Sequence, residues 1–453
     1  MRPDQHLVIV GAGFSGTLLA INLLRFGGSP ATLVERRGGQ MGRGVAYSAT
    51  DPGQLLNVRA SGMSAFPDDP GHFARWVEAR GCGGATDFVP RELYGAYLAE
   101  TLAAERQGRE GRLRLIEAEA TDIFDEGDQL RVTLAAADAL RADVVVLATG
   151  NMPPHPPPGI DPARLPAERY IADPWRADLA RDLGEGHTVV LLGTGLTAID
   201  AALQLDAAGF DGEVLALSRR GLRPRAHIVG QTAGPGLADP PAAPLSSLVQ
   251  EFRQRSEELG WRAAVDAYRP VTQRLWGISD ATKRARFLRH LRPFWDVHRH
   301  RLAPAVAARI DGMVTAGRLR FAAGKIAASG PAPGGIRLSW RPRGQDRAVE
   351  TLAARVVNCT GPQGDLTRTD EPLLCALIAR GAIRPDPLRL GLEVDAQSQA
   401  VRADGAIDAR LCCIGPMTRG GLWEVVAVPD IRRQTWDVAR RLSNAQWVGG
   451  EGL

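Results

Sequence analysis

Three clusters of residues in this chain have the types and spacing to do chemistry. The first is Gly11, Gly13 and Gly16, in G-x-G-x-x-G spacing directly after the apolar run Leu7–Val10 and before apolar residues at helical intervals from Thr17 to Leu24. Strand, tight turn and helix in that order offer free N–H groups and the positive end of a helix dipole to an anion, and the middle glycine lets backbone approach a pyrophosphate. Glu35 closes the next apolar run, Ala31–Val34, where a carboxylate can accept hydrogen bonds from an adenosine ribose.

The second cluster repeats the first. Gly193, Gly195 and Ala198 stand in G-x-G-x-x-A spacing within TVVLLGTGLTAIDAALQL, Thr188 to Leu205. The run that follows, Glu213–Leu217, ends in Ser218, Arg219 and Arg220 instead of an acid. Guanidinium groups there suit the 2′-phosphate of NADP, where a carboxylate would suit NAD; a solvated turn is the plainer alternative. The third cluster lies in FLRHLRPFWDVHRHRLAP: six arginines fall between Arg284 and Arg301, with His290, His298 and His300. His298 and His300 are two apart and diverge on a helix, which argues against a paired metal site. The stretch reads either as a solvated basic helix or as a cationic lining for an acidic substrate.

These clusters need a scaffold, and the pattern around them supplies one. The 453 residues exceed what one core usually supports, so two or three domains are expected. With 55 basic against 51 acidic residues, the net charge of +4 is too small to suggest a nucleic-acid or membrane surface. The uncharged run Leu7–Leu24 carries three glycines, Ser15, Thr17 and Asn22, which argues against a membrane span or a targeting segment. Five cysteines without a C-x-x-C pair suggest neither a zinc site nor a dithiol centre, and reduced thiols fit a cytoplasmic protein. Cys412 and Cys413 read as core residues of a strand.

After Glu35 a long Gly-, Ser- and Pro-rich stretch suits a loop that wraps a ligand, and Val89–Ala104 has helical periodicity. Strands are expected at Leu113–Ile116, Leu130–Leu134 and Asp143–Leu147, the last leading into Ala148–Thr149–Gly150. The five prolines of NMPPHPPPG then make a stiff linker. Helical periods run over Leu245–Ala267 and Ala281–Ile310, and strands over Arg318–Ala322, Ile336–Trp340 and Arg355–Asn358. The last leads into NCTGP, an echo of ATGN, and the chain ends as strand, glycine-rich turn and helix.

Two dinucleotide motifs with ATG and CTG strand ends resemble the two-dinucleotide-binding-domain flavoproteins. More narrowly, GVAYSATDPGQLLNVRASGMSAFPDDP, FVPRELYG, LLGTGLTAID, FWDVHRHRLAP and GGLWEVVAVPDIR look like the bacterial FAD/NAD(P)-binding protein family related to flavin-containing and N-hydroxylating monooxygenases. The resemblance implies an α/β fold with two Rossmann-like domains: an FAD domain over residues 1–155, an inserted NADPH domain over 156–350 with a helical elaboration at about 245–310, and a return to the FAD domain over 351–453.

It further implies that Gly11, Gly13, Phe14, Ser15, Gly16, Glu35 and Arg36 hold the ADP half of FAD. Asn57, Arg91, Thr149 and Gly150 would lie beside FAD, and Gly415 and Leu422, at the start of a GLWE helix, near the isoalloxazine. Gly193, Gly195, Leu196, Thr197, Arg219 and Arg220 would bind NADPH. Trp295, His298, Arg299 and His300 are the candidates for the substrate site. The implied activity is NADPH-dependent monooxygenation of a small molecule, an amine or amino acid among the candidates, with O2 and a C4a-(hydro)peroxyflavin. The alternatives are a reductase or dehydrogenase with another acceptor and a non-catalytic FAD-binding redox partner. The F-x-G-x-x-x-H-x-x-x-W/Y signature of one monooxygenase class is absent, and YIADPWR, Tyr170–Arg176, stands in its place. Oligomeric state is not legible.

Overall fold

The computed structural model describes residues 5–48, 51–230, 236–241 and 244–445. In chain order its strands are β1 Leu7–Val10, β2 Ala31–Glu35, β3 Leu113–Glu117, β4 Glu119–Asp125, β5 Leu130–Ala135, β6 Ala137–Ala142, β7 Val144–Leu147 and β8 Tyr170–Ile171. There follow β9 Thr188–Leu192, β10 Glu213–Ser218, β11 Leu319–Ala332, β12 Gly335–Pro342, β13 Val349–Ala353, β14 Arg355–Asn358, β15 Gln399–Val401 and β16 Ile407–Cys413. They form three sheets, of order β15-β16-β7-β1-β2-β3, β13-β12-β11-β10-β9-β14-β8 and β4-β5-β6.

The first sheet is parallel from β16 to β3, with only β15 antiparallel at its edge. Every residue of β1 and β7 is buried, which is why both read as unbroken apolar runs and not as alternating ones. Helix Phe14–Arg25 lies on this sheet with helices Arg91–Arg106 and Val428–Leu442 against it. Cys412 and Cys413 are buried in β16. Strands β4 to β6 are an antiparallel meander, of which the sequence pattern marked only β5.

The second sheet is parallel from β8 through β14, β9 and β10 to β11. From Gly324 on, β11 pairs antiparallel with β12, with a bulge at Ile326/Ala328, and β12 pairs with β13. Because β14 sits between β9 and β8, the chain is still in the second layer at Asn358. The return expected at residue 351 therefore comes later, after the CTG turn. The crossing chains meet in a bridge between Met152 and Gln363, and the Asn358 side chain donates to the His155 carbonyl at 3.0 Å.

The helical elaboration ends earlier than the periodicity predicts. Helices Leu245–Leu259, Trp261–Tyr268, Thr272–Ile278, Ala281–Arg286 and Arg292–Arg299 form it, with one π turn at Phe287–Leu291. That turn precedes Pro293, which has no N–H to return to the preceding carbonyls. Pro304 holds Ala303 extended, at φ −56° and ψ 144°, and breaks the expected run to Ile310. Helix Pro304–Thr315 connects β10 to β11 and packs Val306, Ile310 and Met313 with helix Leu196–Ala207, so it is a layer helix of the second domain.

Candidate cofactor and substrate site

The two glycine turns are built alike. Gly11 has φ +104° and lies so close to the end of β7 that a Cβ would come within 2.4 Å of the Ala148 carbonyl oxygen. Gly193 has φ +129°, and its Cβ would come within 2.3 Å of the Cys359 carbonyl oxygen. The ATG and CTG echo thus has a steric cause: each triplet ends the strand beside a glycine turn. Gly13 and Gly195 precede helices Phe14–Arg25 and Leu196–Ala207, and a Cβ on Gly195 would meet open space. Leu196 and Thr197 form the first turn of the second helix and are half-buried. Thr149 and Gly150, the latter at φ +71°, follow β7 beside the first turn.

Glu35 ends β2 and accepts the Ala12 N–H at 2.8 Å and the Arg37 N–H at 3.1 Å. Burial pushes its carboxyl up despite these donors. Phe14 stands against Tyr47 and Tyr94, with centroids 5.7 and 5.9 Å away. Gly415, φ +80°, packs on Ser15 so closely that a Cβ would lie 2.4 Å from its hydroxyl. The buried Tyr94 hydroxyl, beside Phe14, has no hydrogen-bond partner among the described residues. The glycine cradle at a helix start fits a pyrophosphate ligand.

Three residues expected at FAD have other partners. Arg36 makes a bidentate pair with Glu371, at 2.8 and 3.0 Å, and reaches Glu119 at 3.2 Å. Arg91 starts its helix and pairs with Asp200, at 3.1 Å, on the helix of the second glycine motif. This ion pair joins the two domains, and burial pushes the Asp200 carboxyl up. The Asn57 carbonyl lies 3.2 Å from His227 Nε2, another inter-domain contact. At the end of β10, Ser218 Oγ bonds Thr194 and accepts from Gly221, tying the strand to its glycine turn. Arg219 is exposed, and Arg220 lies over the Phe294 ring at 5.1 Å.

The expected GLWE helix does not form. Leu422 is half-buried in a turn, and the terminal helix begins at Val428. The turn carries Glu424, buried and at φ +67°, a conformation that costs a non-glycine residue about 1–2 kcal/mol. Its carboxylate receives Trp295 Nε1 at 2.7 Å, Arg299 Nε at 3.1 Å and Arg269 Nε at 3.3 Å. Arg269 also pairs with Asp430. Burial alone would push the Glu424 carboxyl up, but Arg299 and Arg269 outweigh it and hold it below the usual range.

Within the basic stretch this network engages Arg299, while Arg301 pairs with Asp266 at 2.8 Å and Arg292 with Asp296 at 3.2 Å. Trp295 and Arg299 dock the helical elaboration onto the terminal turn, and the charge of Arg299 is matched there by Glu424. Burial, together with Arg299, lowers the pKa of His300. His298 Nδ1 meets the Phe294 carbonyl at 2.7 Å, and His298 and Trp295 both border a cavity of about 840 Å³ between the helical elaboration and the terminal turn. Sequence reasoning missed Glu424, although an acid inside the apolar run LWEVVAV signals a buried charge in need of partners. It also missed Asp200, Arg269 and Asp430.

Residues 8–152 match a family model described as FAD-NAD(P)-binding, so this part of the chain is an FAD-NAD(P)-binding domain. Around it, the order of parallel sheets defines a two-dinucleotide-binding-domain flavoprotein fold. The chain is similar in fold to L-lysine 6-monooxygenase from Pseudomonas syringae, with TM-score 0.67, 17% identity, and 98% of this chain and 100% of that one covered. It is likewise similar to DfoA, a cadaverine monooxygenase from Erwinia amylovora, with TM-score 0.67, 14% identity, and coverage of 98% and 95%. Ornithine hydroxylase PvdA from Pseudomonas aeruginosa superimposes with TM-score 0.66 and 16% identity over 97% of this chain and 99% of its own. No curated protein matches the chain in sequence. Among the described residues no helix is long and apolar enough to cross a membrane, and no cluster of metal-ligating side chains occurs.

Proposed function

We propose that this chain is an NADPH-dependent FAD monooxygenase that acts on a small organic molecule with O2 as co-substrate, in the cytoplasm. The observation that carries the reading is the doubled cradle: two glycine turns pressed against strand ends in the same way, the first followed by an acid and the second by Arg219 and Arg220. A protein that only carried FAD would have no use for the second. All five cysteines are unpaired and no C-x-x-C is present, which disfavours a disulfide reductase.

When bound, FAD would supply two-electron chemistry between the nicotinamide and dioxygen. The residues of this chain position it. The Gly11 and Ala12 N–H groups are taken by the Val34 carbonyl and by Glu35, so the N–H groups at the start of helix Phe14–Arg25 would hold the pyrophosphate, and Glu35 has lone pairs left for a ribose. Gly415, against Ser15, brings the terminal turn to the first glycine helix. Arg219, exposed and without an ion-pair partner among the described residues, is free to meet a 2′-phosphate. The Arg91–Asp200 pair holds the two cradles together.

The structural neighbours named above act on lysine, cadaverine and ornithine, so an amine is the substrate that likeness suggests. The test is oxygen tracing. NADPH oxidation should consume O2, and one atom of labelled O2 should enter the product. NADPH oxidation that proceeds equally well without O2, and adds no label, would replace this reading with a reductase using another acceptor. Arg219→Ala should raise the KM for NADPH about 10–100-fold, from the loss of a charge-assisted contact worth about 1.5–3 kcal/mol, and leave that for NADH within about twofold. Equal effects would sink the 2′-phosphate assignment.

A further inference from the structure

The cavity in the helical elaboration is large and aromatic, and no acid lines it among the described residues. Its volume of about 840 Å³ is that of a site for a drug-sized ligand. Helix Leu245–Leu259 turns Leu245, Leu248, Val249 and Phe252 toward it, at i, i+3, i+4 and i+7, yet none of the fifteen residues of that helix is buried. An amphipathic helix whose apolar face meets a void and not a core has left room for an apolar occupant.

The floor ties the cavity to the cofactor domain. Trp423 lines it, stacked on Trp276 with centroids 4.5 Å apart, and Trp276 Nε1 donates to the Gly420 carbonyl at 2.7 Å. Gly420 and Trp423 belong to the turn that runs on from Gly415, which touches the first glycine helix through Ser15. Glu424, next to Trp423, fixes that turn to Arg299 and Arg269.

Charge decides the class of occupant. Among the described residues no carboxylate lines the cavity, whereas Arg253, Arg284 and Lys283 do, the last paired with Asp280 at 3.8 Å. Arg253 and Lys283 are exposed and so stand at the solvent side. Arg284 bonds only the Trp276 and Gly277 carbonyls, at 2.9 and 3.2 Å, and Arg253 has no ion-pair partner among the described residues. A diamine or cationic amino-acid side chain would enter this space with no counter-ion.

We propose that the cavity binds the substrate, and that this substrate is an amphipathic acid: an apolar chain or ring system seated on the Trp276–Trp423 floor, with one anionic group at the Arg253 side. The assignment rests on the monooxygenase reading for what then happens to the bound molecule. There, a substrate R–H becomes R–OH with one atom of O2, the other atom leaves as water, and NADPH supplies the two electrons.

Dodecanoate and dodecylamine share an apolar body and differ in the sign of the head, and cadaverine has the cationic heads without the body. Titrated into the FAD-loaded protein and followed by tryptophan fluorescence, dodecanoate should bind at least tenfold more tightly than dodecylamine, and cadaverine not at all. Leu248→Trp, on a helix with no buried residue, fills the cavity without touching a core and should weaken dodecanoate at least tenfold. Arg253→Glu should narrow or reverse the preference between the two heads. Tighter binding of cadaverine, or dodecanoate binding indifferent to Leu248→Trp, overturns the assignment. Oxygen uptake separates the two readings. Dodecanoate bound as described but never stimulating NADPH-dependent O2 uptake keeps the cavity assignment and removes the monooxygenase. Cadaverine oxygenated with no dodecanoate binding does the reverse.

Discussion

Replacing Glu424 by alanine and, separately, by glycine should give two unequal losses of stability. The carboxylate is buried and serves Arg299, Arg269 and Trp295 at once. Its removal leaves the Arg299 guanidinium without a counter-ion, while Arg269 keeps Asp430. Breaking a buried pair from one side costs about 3–5 kcal/mol. Alanine suffers this loss and keeps the strain of φ +67°. Glycine loses the same contacts but is released from about 1–2 kcal/mol of that strain, so it should be the milder variant by that amount. The junction contains Trp276, Trp295 and Trp423, so thermal unfolding followed by tryptophan emission reports on it. At about 2–4 °C per kcal/mol for a unit of 150–250 residues, alanine should lower the midpoint by at least about 5 °C, with glycine between it and the native protein. A midpoint for alanine within about 1 °C of native would show that Glu424 does not hold the elaboration. Glycine no better than alanine would refute the strain argument. Because the two arginines hold the Glu424 carboxyl below its unfolded value, its contribution is present above about pH 4.3 and lost as pH falls through the folded pKa.

Gly11→Ala should yield protein that purifies without yellow colour, since the new methyl would lie 2.4 Å from the Ala148 carbonyl at φ +104°; normal FAD content would count against the cradle. Arg91→Ala leaves the Asp200 carboxylate buried without its cation. A loss of about 3 kcal/mol is expected, read as faster proteolysis between the two domains, and restoration of resistance in Arg91→Ala/Asp200→Asn would confirm the pair. His227 contacts the Asn57 carbonyl and is pushed down to about 4 by burial, with Arg301 adding to the effect. The unfolded chain binds this proton more readily, so stability should fall as pH drops from about 6.5 to 4. His227→Gln should flatten that part of the thermal-shift profile, and an unchanged profile would remove His227 as its source.

The sequence determined the two strand-turn-helix units, because glycine spacing and unbroken apolar strands are local requirements: no other residue tolerates the approach of Gly11 to Ala148, and strands buried on both faces must be apolar throughout. The ATG and CTG echo was visible as text, and its cause was not; Ala148 and Cys359 meet the glycine turns only once parallel strands bring them side by side. Arg36, Arg91, Trp295 and Arg299 were legible as charged or polar residues in motifs. Which partner each would take depended on Glu371, Asp200 and Glu424, far away in sequence, because an ion pair is set by distance in space. Helical periodicity carried the elaboration past Arg299, where Pro304 and packing on the second sheet ended it. The basic stretch was open to two readings, a solvated helix or a cationic lining, because the partners of Arg299 and Arg301, Glu424 and Asp266, lie outside it, and the periodicity of Leu245–Leu259 records which side of a helix avoids water, not whether protein or a ligand covers it.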